Sequence, residues 1–313
     1  MNEAVRVYAP ATVANLGPGF DILGMAVTEP GDIVTASFAD QPGTFITRIT
    51  GDGGRLPLDA TLNTAGVAAN HVRRQLAPHL GINLEIDKGL PLASGLGSSA
   101  ASAVAAATAV NLLLGAPLTP MELLPATLEA EAAVSGRHAD NVAPALLGGI
   151  VLVTGATASN LHPIPVGPNI ASLNITLITP NVAVPTAEAR SVLPHLVPFP
   201  TVVHQIKAVG QLVHALHSDD IDLFTSAMMQ DAIVELARKH LIPHFEAARD
   251  AALGMGGLAA VISGAGPTLC VLTRSHAAAN HIGETLCNAY AAQSINAVFR
   301  VVNISQQGAA QLP

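Results

Sequence analysis

Apolar positions along this chain follow two periods, and the switches between them lay out most of its elements. Short β-rich runs at residues 5–8, 33–38, 82–86, 149–153 and 173–178 predict strands, and a helical pattern covers 64–76. Past residue 201 the pattern lengthens into amphipathic helices over 201–216, 221–239 and 243–253. Strands at 258–262 and 269–273 then flank the turn Gly264-Ala265-Gly266-Pro267, before a helix over 275–293 and a last strand at 297–302. Helices and paired strands in this order predict an α+β second half, and no segment repeats at a fixed period. A polar, proline-containing stretch between about 155 and 169 predicts a boundary or a sheet-edge excursion.

Composition narrows the class. The chain has 313 residues, more than one core usually organises, so one large or two closely joined domains are expected. Half of the residues are hydrophobic, aromatics are 3% and Trp is absent, so aliphatic side chains and alanine must build the core. A net charge of −8, with no basic cluster beyond Arg73 and Arg74, leaves no footprint for nucleic acid. Any anionic ligand must therefore be held by a few specific groups. Cys270 and Cys287 lack CxxC spacing, which argues against a zinc site or a disulfide framework and for a reducing, cytoplasmic setting. No charge occurs between Lys88 and Glu122 or between Asp140 and Glu188. Gly, Pro, Asn and Ser interrupt both stretches, so neither predicts a membrane span, and the chain is read as soluble. The twelve histidines are given no metal or base role.

The most specific segment is the run Leu90, Pro91, Leu92, Ala93, Ser94, Gly95, Leu96, Gly97, Ser98, Ser99, Ala100 and Ala101, leading into an alanine-rich helix that reaches Leu114. Gly95 and Gly97 permit positive φ and close approach of a ligand to the backbone, and a helix starting near Ser98 presents free N–H groups and a positive dipole end. That is an anion-binding arrangement, and it is neither the Walker pattern nor GxGxxG. Downstream, Thr119 to Glu122 forms a capping box with Pro120 at the first helical position, predicting a helix to about Val134. Leu124, Leu128, Glu131 and Ser135 share one stripe of it, whereas Glu129 shares the opposite side with Glu122. An inward carboxylate is costly unless paired or metal-bound, so Glu131 with the Ser98 hydroxyl is the expected Mg²⁺ site.

Position for position, the run from Leu90 to Ala101 resembles the phosphate loop of the GHMP kinases. Two further segments are similar to that family's other signatures: Tyr8 to Gly24 at the amino terminus, and the glycine turn from Ser263 to Thr268. The forms of the first motif and of the stretch from Ser135 to Gly149 resemble the homoserine-phosphorylating branch. The resemblance implies a two-lobed α+β fold, with a ribosomal-protein-S5-like amino-terminal domain over 1–160 and a ferredoxin-like carboxy-terminal domain over 161–313. It implies ATP and Mg²⁺ as cofactors, L-homoserine as substrate in threonine biosynthesis, and a possible homodimer. By the same resemblance Asn15, Asp21 and Asn141 contact the amino acid, Arg190 and Arg238 are the family's two arginines and are expected to bind the substrate's α-carboxylate, and Thr186 and Asn141 lie near the reacting hydroxyl. Asn63 would border the adenine, and Gly264 and Gly266 would sit beside the phosphate loop. An α-ammonium group does need an acceptor such as Asp21, and short amides suit a compact polar ligand. No general base is expected, with Asp140 the residue left open. The rival readings are a GHMP kinase for another small alcohol and a non-catalytic ligand-binding member; intact Ser98, Ser99 and Glu131 weigh against the second.

Overall fold

The computed structural model describes residues 4–133 and 136–313. The helix end expected at Val134, and Ser135 of the stripe carrying Glu131, lie outside the described residues. In the first part of the chain the elements are β1 (Ala4–Ala14), β2 (Leu23–Ala39), β3 (Gly43–Thr50), α1 (Thr64–Leu76), β4 (Gly81–Asp87), α2 (Ser98–Leu113), α3 (Leu124–Ala132), α4 (Val142–Leu147), β5 (Ile150–Val153) and β6 (Leu161–Ile164). The second part holds α5 (Pro168–Ala171), β7 (Asn174–Pro180), α6 (Thr186–Ser191), α7 (Phe199–Ser218), α8 (Ile221–Met228), α9 (Val234–Arg238), α10 (Phe245–Gly254), β8 (Ala259–Ile262), β9 (Leu269–Thr273), α11 (His276–Ala292), β10 (Ala297–Val302) and β11 (Ala310–Gln311).

Two sheets organise these elements into an α+β architecture. The first runs β11-β1-β2-β4-β3, with β5 on β2 and β6 on β5; the second runs β10-β7-β9-β8. Among the described residues only β3 and β4 pair in parallel, and α1 supplies the crossover that a parallel pair requires. In β1 the exposed Ala4 and Arg6 alternate with the buried Val5 and Val7, after which every residue from Ala9 to Ala14 is buried because both faces are covered. The covering element is α2, with twelve of its sixteen residues buried. A helix apolar all round belongs inside, and alanine lets it lie close against β1, β2 and α1.

Observed elements agree with the expected ones closely at 64–76 and 297–302 and to within a few residues at most other places. The single helix expected over 221–239 is instead broken between α8 and α9. Asp231 is the reason: its carboxylate accepts the N–H groups of Ile233, Val234 and Glu235 at 3.0, 3.1 and 2.8 Å, starting a new turn where the apolar period would have continued. Three strands lie outside the expected set: β3, β6 and the two-residue β11. Because β6 pairs with β5, the two sheets part between Ile164 and Asn174, slightly past residue 160. The chain also returns: β11 pairs with β1, and Ile304 bridges Val27. Among the described residues no helix is long and apolar enough to cross a membrane.

The returning tail is anchored by Ser305 N–H to Ala26, Gly149 N–H to Ser305, Ala309 N–H to Ala145 and Leu312 N–H to Arg6, at 2.7 to 2.9 Å. At about 1 kcal/mol per net hydrogen bond, a chain ending at Asn303 should melt roughly 5 to 15 °C lower. An unchanged melting curve by circular dichroism would show that the tail adds nothing to the first sheet.

Candidate active site

Ala93, Gly95 and Gly97 take φ of 55°, 79° and 67°, so the loop between β4 and α2 coils through left-handed backbone three times. No side chain caps the first turn of α2. A Cβ on Gly95 would stand 2.3 Å from the Ser263 carbonyl oxygen, and one on Gly97 would stand 2.1 Å from the Thr12 hydroxyl. The expected reason for Gly97 was ligand approach; the neighbouring protein atoms impose it as well. The glycine turn braces the loop directly, since the Thr268 hydroxyl donates to the Ser94 carbonyl at 2.7 Å and the Ser263 hydroxyl to that of Gly95 at 2.8 Å.

A cavity of about 350 Å³ opens beside this loop. From the sequence-predicted set, Leu92, Ala93, Ser94, Gly95, Gly97, Ser98 and Ser99 line it, together with Gly264. Pro91, Leu96, Ala100, Ala101 and Gly266 stand outside the lining and act as supports: Leu96, Ala100 and Ala101 are buried in the core, and Gly266 packs against Ile242. Asn63 lines the cavity too, with its amide spent on structure: Oδ1 accepts from Ala65 N–H, capping α1, and Nδ2 donates to the Pro57 carbonyl. His240 and His244 stand four apart but are exposed, and neither lines the cavity.

The helix-face argument for the two glutamates matches the geometry. Glu131 is buried and accepts the Ser99 hydroxyl at 2.5 Å, whereas Glu129 is half exposed and meets His71. The Ser98 hydroxyl oxygen is buried with no hydrogen-bond partner among the described residues. A hydroxyl so placed, one carboxylate close by and a loop shaped for anions fit a hard divalent cation. Among the described residues no cluster of three or more Asp, Glu, His or Cys could hold a metal, so such an ion would draw its other ligands from phosphate and water.

The groups expected at the acceptor line the same cavity. Asn15 and Asp21 both adopt left-handed φ, 75° and 61°, on the turn between β1 and β2. Asn15 Nδ2 donates to the Gly264 carbonyl, and its Oδ1 accepts from Asp21 N–H. Asn141 Oδ1 accepts the Thr12 hydroxyl at 2.7 Å, and Thr186 opens α6 at the cavity wall. Arg190 forms two hydrogen bonds to the Asp21 carboxylate, at 3.1 and 2.7 Å, while its Nε has no partner among the described residues. Asp21 and the arginine, expected to act on different groups of a ligand, are thus joined to each other. Arg238 donates to the Ala189 and Gly264 carbonyls, and burial, then the nearby Arg190, pulls its guanidinium down to about 10.

Residue spacing alone pointed to none of three further participants. Both guanidiniums lie over the Phe20 ring, 5.2 and 4.9 Å from its centre, a cation–π arrangement with only one ring to share. His138 Nδ1 comes within 3.4 Å of Asp21, and burial holds this imidazole below its ordinary range against the pull of that carboxylate. Thr12, fully buried, supports Asn141. Thr12 and Phe20 sit inside the amino-terminal motif and His138 inside the stretch from Ser135 to Gly149, which were the available signals.

The model for the GHMP kinase N-terminal domain matches residues 63–149 and that for the C-terminal domain matches 212–292. Homoserine kinase from Chloroherpeton thalassium is 41% identical over 91% of each chain, and that from Xylella fastidiosa is 38% identical over 97% of this chain and 92% of its own. On these grounds the chain belongs to the GHMP kinase family. The crystal structure of homoserine kinase from Cytophaga hutchinsonii superposes with a TM-score of 0.93 at 43% identity, over all of this chain and 98% of the other. Mevalonate kinase from L. major, 17% identical with a TM-score of 0.72 over 95% of each chain, shares the fold.

Asp140 carries the largest consequence for pH. Burial, reinforced by the Asp21 charge and opposed by Arg190, pushes its carboxyl up to about 7 from 3.8, and its Oδ1 has no partner among the described residues. A raised carboxyl favours the protonated folded state, so its cost to stability is absent below pH 3.8, grows through the interval up to about 7 and is constant above it. Asp140→Asn should therefore stabilise the protein by on the order of 2 to 4 kcal/mol at pH 8 and by clearly less at pH 5. A difference in denaturation midpoint that is the same at both pH values would contradict this.

Proposed function

We propose that this chain transfers the γ-phosphoryl group of ATP to the side-chain hydroxyl of L-homoserine, giving ADP and O-phospho-L-homoserine, a step in threonine biosynthesis. The observation that carries the reading is a single cavity lined both by an anion-binding loop and by paired acid and guanidinium groups. A free α-amino acid is a zwitterion, and Asp21 with Arg190 is its mirror image in charge. The substrate ammonium would take Asp21, and the carboxylate would take Arg190 and Arg238, so the internal ion pair is exchanged for two external ones. A sugar or mevalonate offers no such pair of charges, which disfavours other GHMP acceptors.

At the opposite end, N–H groups of the loop and of the first turn of α2 would receive the phosphates. Pro57 and Leu62, beside Asn63, would flank the adenine. A Mg²⁺ ion would be held by Ser98 and Glu131, where its charge offsets that developing on the phosphates. Thr186 and Asn141 would orient the hydroxyl. Phosphoryl transfer depends chiefly on placement and charge stabilisation, and no side chain is assigned as general base.

ADP release in a coupled assay should require homoserine and should not be supported by mevalonate, galactose or shikimate; equal turnover with any of these would reopen the acceptor. Glu131→Gln should depress turnover and weaken its Mg²⁺ dependence, and Glu129→Gln should leave both near wild type. Lysine at either arginine cannot reproduce the planar paired donors, so Arg190→Lys and Arg238→Lys should raise the KM for homoserine about ten- to 150-fold, the equivalent of roughly 1.5 to 3 kcal/mol, with little change in that for ATP. Equal damage to both constants would place the arginines on the triphosphate instead.

A further inference from the structure

A second buried charge pair lies under the phosphate loop, and nothing said so far uses it. Asp32 of β2 and Lys88, the residue after β4, come together one position beyond the terminal pair of the β2–β4 ladder, Ile33 with Asp87. Their side chains are 0% and 1% exposed. The Lys88 ammonium has three donors and the structure accounts for three acceptors: Asp32 Oδ2, the Ser98 carbonyl at 2.9 Å and the Ser102 hydroxyl at 2.8 Å. Asp32 is equally committed. Its Oδ1 accepts the N–H groups of Gly89 and Leu90 at 3.1 and 3.2 Å, and its Oδ2 accepts the Ser102 hydroxyl at 2.7 Å.

These bonds reach both ends of one segment. Gly89 and Leu90 begin the loop; Ser98 and Ser102 begin the helix that follows it. The strained backbone at Ala93, Gly95 and Gly97 is strung between them. Stability alone is a poor reason to bury such a pair, because apolar side chains of similar size usually serve a core as well, while a single unmatched charge is costly. Burial lowers the Lys88 ammonium from its ordinary range, opposed chiefly by Asp32. Although Lys88 borders the cavity, its donors are all engaged, so it is not a direct phosphate ligand in this arrangement.

We infer that Asp32, Lys88 and Ser102 are positioning residues that fix the span of the phosphate loop and, through the Ser98 carbonyl, the aim of the Ser98 hydroxyl. The inference rests on the reading of this loop as the ATP site. Its test removes both charges together, in Asp32→Asn/Lys88→Met, so that no lone buried charge remains and the Gly89 and Leu90 contacts keep an acceptor. Calorimetric binding of ATP with Mg²⁺ and the two Michaelis constants are measured beside wild type. We expect a cooperative melt, an ATP dissociation constant and KM raised about tenfold or more, and a homoserine KM within about threefold of wild type. Wild-type ATP constants in the folded double variant would overturn the inference, and so would equal rises for ATP and homoserine, which would mean a general loosening. Should the double variant fail to fold, Ser102→Ala decides: a rise of about threefold or more in the ATP constants alone supports the role, and no change refutes it. If wild type itself binds no ATP, the functional reading fails first, and that result is distinct from either outcome above.

Discussion

Between Gly95 and the turn at Ser263 there is no room for a methyl group, and this contact governs how the site is assembled. The loop that would receive phosphate belongs to the first sheet, the turn to the second. Hydroxyls of Ser263 and Thr268 satisfy loop carbonyls that the left-handed backbone turns away from any regular ladder. The glycines therefore do more than admit a ligand. They let the two sheets share a polar seam in which buried carbonyl groups find partners.

Charge is used sparingly around that seam. The chain carries a net charge of −8 and no basic surface; in the proposed reading helix-terminal N–H groups would receive the nucleotide, and the two guanidiniums would be left for the amino acid. Those guanidiniums crowd each other, and the arrangement holds because Phe20 offers a ring face to both while Asp21 neutralises one. Asp21 and Arg190, the acceptor and donor proposed for the amino acid, satisfy each other. Selectivity then follows from exchange: a ligand lacking either charge would break the pair and leave one partner unmatched.

The phosphate loop, the helix faces of α3 and the long helix α1 were legible in the sequence because each rests on local rules: glycine permissiveness, helical period and capping. Glu131 could be set apart from Glu129 by period alone. The break at Asp231 was not legible, since the apolar spacing runs on through it and only the cap geometry interrupts it. Strands β3 and β6 escaped because one is an exposed edge strand with weak patterning and the other has only four residues, including Pro163. Nor could spacing reveal contacts between residues far apart in the chain, such as Arg190 with Asp21 or Lys88 with Asp32; charge-bearing residues have many possible partners until a topology selects one.

The hydroxyl of Thr12 and the amide of Asn141 occupy the space where a side chain at position 97 would lie. The phosphate loop thus rests on the same amide that faces the amino-acid end, with no intervening shell. A ligand that moves the loop by a few tenths of an ångström must also move Asn141, and one that pulls on Asn141 must bear on the loop. Thermodynamic linkage makes that relation symmetric: whatever factor nucleotide binding applies to the affinity for the amino acid, the amino acid returns to the nucleotide. If both ligands bind as proposed, a single missing side chain would let the two binding equilibria depend on each other.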